Sequence, residues 1–376
     1  MVQDTNLSAL AGPIAPARLM SVDALRGFTM FWITGGDAPL LWTLADATQS
    51  KFLDKLLVQF EHVPWEGFHA WDLIMPMFLF VVGVVMPFSF NSRLQRGQTK
   101  KQIYLHVIKR FVILWVLGMI AQGNLLDYDL SKLHIYCNTL HAIAAGYLIA
   151  SILILNLNII WQAVVTAAPL LLFWGLMMLV PVPGYGAGVL TESGNLAIYI
   201  DEIVLGRFID GTPYAWVLGS MTFACTVMLG VFAGHILRSQ QSNARKVLWL
   251  FVSAIVCLVV GWLWGFIFPI IKHLWTSSMV LYAGGWSLLL LAIFYLLIDV
   301  WGFKKWAFPF VVIGMNAIAL YTAVHIFDFK HIGNVFVGGL ADRLGDWNPF
   351  VQAVAAFVVV WLILYWMYRQ KVFIKV

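Results

Sequence analysis

Apolar runs of about 20 residues, each long enough to cross ~30 Å of hydrocarbon as a helix, recur through this chain of 376 residues. Hydrophobic residues make up 61% of the chain and charged residues only 11%, and no polar stretch is long enough to form a soluble domain. The sequence therefore predicts an all-α, polytopic membrane protein with about ten transmembrane helices. They cover residues 21–43, 71–92, 103–122, 138–156, 158–180, 214–237, 247–267, 277–299, 306–327 and 350–369.

The orientation of these spans follows from Lys and Arg in the loops, which are enriched on the cytoplasmic side. One set of connections, together with the N-terminal tail, carries 13 of these residues and the opposite set carries 7. The basic set includes both ends of the chain, so both termini are predicted to be cytoplasmic. Residues 1–20 lack the features of a cleaved signal peptide and are interpreted as a cytoplasmic tail. Residues 21–376 are predicted to form a single transmembrane domain.

Charge and cysteine content exclude several other classes. The net charge of +5 is explained by membrane topology, so no nucleic-acid partner is predicted. Three scattered cysteines are too few for a disulfide framework or a zinc site. The histidines show no metal-ligand spacing on one helix, so no metal is predicted. Membrane lipid is an expected partner, and a homodimer is left open.

The segment 62–76 concentrates polar chemistry at the start of the second span. His62 follows Glu61 and precedes Asp72 by ten residues, and loop charge places it on the outer side. A carboxylate can fix the tautomer of an imidazole and raise its basicity, which a general base requires. His62 is therefore the predicted catalytic base, and Asp72 or Asp37 is predicted to orient it. Asp37 follows two glycines deep in the first apolar run, where an acid is costly.

Other polar and aromatic residues have a structural and a functional interpretation. Asp23 and Arg26 share a helix face and can form an ion pair, but Arg26 could also hold an anionic cofactor. A basic group near the second and third spans either marks the cytoplasmic side or binds phosphates. The candidate cofactor-binding residues are Arg26, Arg93, Lys101, Arg110 and Asn316. The candidate substrate-binding residues, which could equally be interfacial aromatics or interhelical hydrogen-bonding groups, are Trp65, Glu66, Asn138, His141 and Trp275.

Two motifs carry a family resemblance. Residues 18–27 read RLMSVDALRG, and residues 62–76 fit the pattern H-x2-W-x-G-x4-D-L-x2-P. Weaker markers follow at 274–278, 307–309 and 314–317. In these residues the chain resembles the heparan-α-glucosaminide N-acetyltransferase family of transmembrane acyltransferases, in particular its bacterial NagX branch.

The resemblance implies transfer of acetyl from cytoplasmic acetyl-CoA, as co-substrate, to an amino sugar on the far side of a bacterial inner membrane. It implies that His62 is the catalytic histidine. The chain departs from the family pattern at Asp37, at His141, at 214–216 and at Ile271. Because these positions lie mostly on the acceptor side, the acceptor is less well defined than the reaction.

Three functions remain in view at this stage. The first is N-acetylation of glucosamine or a glucosamine-containing sugar at the outer side. The second is transport of an amino sugar or N-acetylglucosamine, although the sequence shows neither the internal repeats nor the broken helices typical of transporters. The third is O-acylation of an envelope glycan by the same machinery.

Overall fold

A computed structural model describes residues 19–36 and 38–374. All regular secondary structure in this part of the chain is helical. The only strand-like pairings here are two isolated bridges, Glu66 with Ile271 and Val182 with Gly186. The helices are α1 Met20–Phe31, α2 Thr43–Thr48, α3 Lys51–Leu57, α4 Ile74–Gln95, α5 Lys100–Gln122, α6 Thr139–Asn156, α7 Ile159–Leu179, α8 Leu196–Leu205, α9 Ser220–Arg238, α10 Asn243–Gly265, α11 Ser277–Phe294, α12 Phe308–Gly314, α13 Ala317–Ile326, α14 Phe329–Ala341 and α15 Asn348–Arg369. Short 3-10 turns occur at 58–60, 70–73, 125–127, 206–208 and 345–347, and π-helical turns at 32–36, 38–42 and 295–300.

The described residues contain eight helices long and apolar enough to cross a membrane, or up to nine if the bent pair α12 and α13 is one span. These nine correspond to the predicted spans from 71–92 onward. The protein is therefore a membrane protein with transmembrane helices, as predicted. The first predicted span, 21–43, coincides with α1 and the π-helical turns after it, and Asp37 within it lies outside the described residues.

Contacts divide the described chain into two units. The first unit contains Leu19, Pro64–Phe68 and Met75–Ile293. The second contains Met20–Val63, His69–Ile74 and the chain from Phe294 onward. The prediction of one domain over 21–376 stays a prediction.

In the first unit, α4 and α9 approach so closely that only glycine fits at the crossing. A Cβ on Gly83 would overlap the carbonyl of Val227, and one on Gly230 would overlap the carbonyl of Phe80. Close backbone approach through small residues is how membrane helices gain packing energy, since lipid supplies little hydrophobic drive for association. In an apolar 18-residue stretch of the span that includes α4, 78% of the residues are buried, whereas in that of α10 17% are.

In the second unit, α1 and α12 also approach closely through glycine residues. A Cβ on Gly27 would overlap the carbonyl of Phe310, and one on Gly314 would overlap the carbonyl of Asp23. The N-terminus of α1 is capped by Asp299, whose carboxylate oxygens accept from the backbone N–H of Met20 (3.3 Å) and Ser21 (3.1 Å). This cap satisfies two of the donors that a helix start leaves without intrahelical partners.

Two local features differ from the sequence prediction. α12 and α13 form a helix pair bent by 73°, so broken helices are present where the sequence showed no sign of them. α9 begins at Ser220, not 214, because the backbone before it is held in an irregular path by Asp201. The long connection 181–213 contains α8, and its buried residues are Leu196, Ala197, Ile198, Asp201 and Leu205.

Candidate functional site

His62 and Asp72 meet in the second unit. The Nδ1 atom of His62 lies 2.8 Å from Oδ1 of Asp72, a hydrogen-bond distance. The carboxylate side chain is 2% exposed and the imidazole 47% exposed. The loop from 61 to 69 brings the imidazole back to the 3-10 turn at Ala70–Leu73, which carries Asp72 at the entrance to α4. A buried acceptor on one side of a half-exposed imidazole is the arrangement that fixes Nδ1 as the protonated nitrogen.

Asp72 also organises the backbone of the loop. Its Oδ2 atom accepts from the N–H of His69 at 3.0 Å and from the N–H of Val63 at 3.4 Å. His69 in turn places its Nδ1 atom 3.0 Å from the carbonyl oxygen of Glu61. One buried carboxylate therefore holds both the imidazole and the peptide that carries it, which reduces the freedom of the candidate base.

Trp65 and Glu66 belong to the first unit. The indole N–H of Trp65 donates to the carbonyl oxygen of Leu190 at 2.8 Å, and its ring stacks on His273 with centroids 5.2 Å apart. Glu66 is exposed and pairs its backbone with Ile271. The ring of Tyr214 also packs against the ring of His273, and their centroids are 4.5 Å apart. These rings form an aromatic row, and the substrate-binding roles of Trp65 and Glu66 stay predictions.

The other three candidate substrate residues are buried in the first unit and engaged in packing. Asn138 caps α6 by accepting from the N–H of Leu140 and His141, and donates to the carbonyl of Gly118. His141 is fully buried, with Nε2 3.0 Å from the carbonyl of Trp115. Trp275 is 1% exposed and donates to Thr226 at 2.9 Å. These side chains form hydrogen bonds with neighbouring helices, and their substrate-binding roles stay predictions.

Basic residues of the first unit gather around α5. The guanidinium of Arg93 lies 2.7 Å from Nε2 of His106, and that of Arg110 lies 4.4 Å from the ring centroid of Tyr147. The Nε atoms of both arginines are buried and, among the described residues, have no hydrogen-bond partner. Lys101 is exposed at the start of the helix. Arg93 also donates to the side-chain oxygen of Gln98 at 3.2 Å. The cofactor-binding roles of Arg93, Lys101 and Arg110 stay predictions.

In the second unit, the two remaining cofactor candidates have protein partners. Arg26 lies 4.0 Å from Asp23, as the spacing of three residues predicted. Asn316 sits at the bend between α12 and α13 and is 1% exposed. Its amide donates to the carbonyl of Val372 at 3.1 Å and accepts from the N–H of Ile374 at 2.9 Å. The structure therefore gives Asn316 a role in holding the C-terminal segment, and its cofactor role stays a prediction.

Asp201 was not recognised from the sequence. It is completely buried in α8, and its oxygens accept from the backbone N–H of Trp216 (2.6 Å) and Val217 (2.9 Å). Burial raises the pKa of this carboxyl to about 6, against the lowering effect of the two hydrogen bonds. No spacing rule links residue 201 to 216, because the pairing depends on how the connection folds back. Within the described residues, no group of three His, Cys, Asp or Glu is arranged to hold a metal.

Comparison with curated proteins gives two relatives with the same name. The chain is 25% identical to heparan-alpha-glucosaminide N-acetyltransferase of Homo sapiens over 423 aligned positions, covering 96% of this chain and 60% of the human protein. The protein of that name from Mus musculus is 26% identical over 377 positions, covering 84% of this chain and 56% of the mouse protein. The chain thus spans less than two thirds of the length of either relative.

No family model matches the chain. The assignment to the NagX branch and to a bacterial inner membrane is not tested by these relatives and stays a prediction. The two alignments nevertheless cover most of the chain, including the segment that carries His62 and Asp72 in an all-helical membrane fold. The chain is therefore similar, over most of its length, to two proteins named heparan-alpha-glucosaminide N-acetyltransferase.

Proposed function

We propose that the protein transfers acetyl from cytoplasmic acetyl-CoA to the amine of glucosamine, or of a glucosamine-containing sugar, at the outer side of the membrane. The observation that carries this proposal is the pair of His62 and Asp72, with 2.8 Å between Nδ1 and Oδ1 and about half of the imidazole exposed. The named activity of the relatives agrees with it. The outer side is the one that loop charge predicts for His62.

The geometry supports a general-base mechanism. With Nδ1–H donated to Asp72, the Nε2 atom of His62 is the proton acceptor. It takes a proton as the amine attacks the thioester carbonyl. The C–N bond forms, the C–S bond breaks, and the proton returns to the departing CoA sulfur. In the alternative route Nε2 attacks the thioester carbonyl, the C–S bond breaks and CoA leaves as the thiolate. The amine then attacks the acetyl-imidazole, the bond between the acetyl carbon and Nε2 breaks, and the amine proton passes to the CoA thiolate. Both routes need Asp72 in the same position.

Arg93 and Arg110 are proposed to bind the phosphates of acetyl-CoA. Charge-assisted hydrogen bonds from guanidinium to phosphate are among the stronger polar contacts in proteins. The buried Nε atoms of these arginines would then gain the partners that the described chain does not supply. Lys101 is exposed at the start of α5. It would attract the phosphates over a longer range and would not form a fixed contact.

The test uses the full chain purified into lipid nanodiscs, with radiolabelled acetyl-CoA and a panel of amino sugars. Wild-type protein should give an N-acetylated sugar by mass spectrometry, and His62→Ala should give none. His331→Ala is a matched control because that side chain is exposed and contributes only its backbone N–H to the helix cap of Asp328. Normal turnover by His62→Ala would overturn the assignment. Label retained on wild-type protein without sugar would select the acetyl-imidazole route.

Sidedness needs a separate experiment. Sealed vesicles of defined orientation should form product only when acetyl-CoA and a membrane-impermeant sugar are on opposite faces. Product with both substrates on one face would contradict the transmembrane part of the proposal.

A transporter is the second candidate, favoured by the 73° bend between α12 and α13, since broken helices frequently form transport sites. Counterflow of labelled sugar in proteoliposomes without acetyl-CoA would support transport. Sugar uptake that requires acetyl-CoA and yields only acetylated sugar would instead support the transferase.

A further inference from the structure

A cavity of about 700 Å³ lies entirely within the second unit and includes none of the residues discussed above as site candidates. One wall is a stripe of α15 at helical spacing, formed by Ala353, Ala356, Phe357 and Val360. Pro349, in the first turn of α15, also lines it. The cavity therefore extends from the start of this helix to its middle, about 16 Å along the axis.

The polar lining comes from two segments where the regular α-helix is interrupted. The chain between α13 and α14 breaks at Phe327–Asp328, and both residues line the cavity. Thr34 lies in the first π-helical turn after α1, and Thr43 directly follows the second. Breaks and π-helical turns in membrane helices frequently accompany ligand sites.

Charged groups of this cavity lie level with the middle of a membrane-spanning helix. A Cβ on Gly333 would be 2.7 Å from the backbone nitrogen of Ala356, which fixes the register between α14 and α15. The short connection between the two helices makes them antiparallel. Lys330, three residues before Gly333, is therefore level with the residues near Val360, and Asp328 lies two residues before Lys330 in the sequence. Asp328 and Lys330 are exposed and line this cavity, and ionisable groups beside membrane-spanning helices often mark a pathway or a binding site.

The polar groups of the lining are mostly acceptors. Thr34 donates its hydroxyl proton to the carbonyl of Met30 at 2.9 Å, so its oxygen can accept from a ligand. The Nδ1 atom of His325 lies 2.7 Å from the carbonyl of Tyr321, which makes Nε2 an acceptor in the neutral ring. Asp328 adds a carboxylate, and Lys330 adds one ammonium donor. Such a set fits a ligand rich in donors, with a positive group near Asp328 and oxygens near Lys330.

We propose that this cavity binds the amino sugar, with Asp328 contacting its ammonium group and with Thr34, His325 and Lys330 contacting its hydroxyls. A polyphosphate ligand fits less well, because the Asp328 carboxylate would repel it. An amino sugar as ligand rests on the proposed function, whereas the cavity and its polar lining do not. The volume lies within the usual range for small-molecule sites, and the apolar wall packs against the ring of the sugar.

The test is direct binding of glucosamine to the full chain in nanodiscs by isothermal titration calorimetry, without acetyl-CoA. Asp328→Asn is the informative variant. Asp328 caps α14 by accepting from the N–H of His331 at 2.9 Å, and Asn caps a helix about equally well. The variant therefore removes the charge and keeps the cap. Glucosamine affinity should fall about tenfold to hundredfold, whereas the affinity for N-acetylglucosamine, which lacks the ammonium, should stay the same.

A steric pair provides an independent check. Ala356→Leu places a larger side chain on the cavity wall and should weaken both sugars. Val358→Leu, on the same helix but 44% exposed and outside the lining, should change neither. The inference is overturned if wild-type protein binds neither sugar, if Asp328→Asn binds glucosamine like wild type, or if the two α15 variants behave alike. Thermal unfolding of each variant checks that the protein is folded.

The same variants separate this inference from the proposed function. His62→Ala should bind glucosamine normally and transfer no acetyl group. Sugar binding that depends on Asp328, in a protein without acetyl transfer, would sustain the site and overturn the enzyme. Acetyl transfer with an unchanged KM for glucosamine in Asp328→Asn would sustain the enzyme and overturn the site.

Discussion

Replacement of Asp72 by Asn tests the core of the mechanism with a side chain of nearly the same shape. Asp72 accepts three hydrogen bonds in a buried position, from His62 at 2.8 Å, His69 at 3.0 Å and Val63 at 3.4 Å. An amide has one acceptor oxygen where the carboxylate has two. The variant can therefore accept a hydrogen bond either from His62 or from the backbone N–H groups of His69 and Val63, but not from both sides.

Each orientation of the new amide has a different consequence. If its oxygen faces His62, its NH2 group meets the N–H groups of His69 and Val63, and a buried donor facing donors costs about 1–3 kcal/mol of stability. If it is reversed, the NH2 group donates to Nδ1 of His62 and the imidazole proton moves to Nε2. Nε2 is then no longer a base, and the loss of general-base catalysis costs about 10²–10⁴-fold in kcat. We expect the second outcome to dominate activity.

The assay is the rate of acetyl transfer as a function of pH, together with thermal unfolding of the same preparations. Asp72→Asn should lower kcat by about 10²–10⁴-fold and leave the KM for acetyl-CoA near that of wild type. In a His62→Ala background the second substitution should add almost nothing, since the carboxylate acts through the imidazole. A kcat within about a factor of three of wild type, in folded protein, would refute the reasoning.

Four further substitutions have expected outcomes. Arg110→Met should raise the KM for acetyl-CoA about tenfold or more without altering the KM for sugar, and Lys101→Met should have a smaller effect in the same kinetic assay. For Asp201 the folded-state pKa of about 6 exceeds the ordinary 3.8, so the folded protein binds the proton more tightly, and stability should rise as pH falls from 7 towards 5. Asp201→Asn should flatten that part of the curve of unfolding temperature against pH, and an unchanged slope would contradict the assignment. Asn316→Ala should lower the free energy of unfolding by about 1–3 kcal/mol, because it leaves a buried carbonyl and N–H of the C-terminal segment without partners, and limited proteolysis should show earlier cleavage near 372–374.

Continuous apolar runs were sufficient to predict the eight helices that are long and apolar enough to cross a membrane in the described residues, and the bent pair α12 and α13, since lipid tolerates few other ways of satisfying backbone groups. The pairing of His62 with Asp72 was also predictable, because both residues lie in one short segment and a ten-residue loop can close on itself. The contact of Asp201 with Trp216 was not predictable, because it depends on the path of a long connection. The cavity was missed for a related reason. Its polar residues come from a helix break and from π-helical turns, and neither changes the average hydropathy of its run.

His141 and Trp275 are buried, although both lie near predicted span ends on the outer side. Their substrate roles stay predictions. The structure surrounds them with neighbouring helices, and their hydrogen-bonding groups serve Trp115 and Thr226. Sequence position near a span end is thus a weak guide to exposure when the loops fold back over the helices.

Two hydrogen bonds join the side chain of Asn316 to the backbone of Val372 and Ile374, which are 56 and 58 residues later in the chain. One amide side chain makes the bend between α12 and α13 depend on a segment that follows the final membrane helix. A cut after Arg369 would therefore remove both hydrogen-bond partners of Asn316 without touching any residue of α12 or α13. Cleavage or binding at the end of the chain would act on the bend between these helices through the Asn316 side chain.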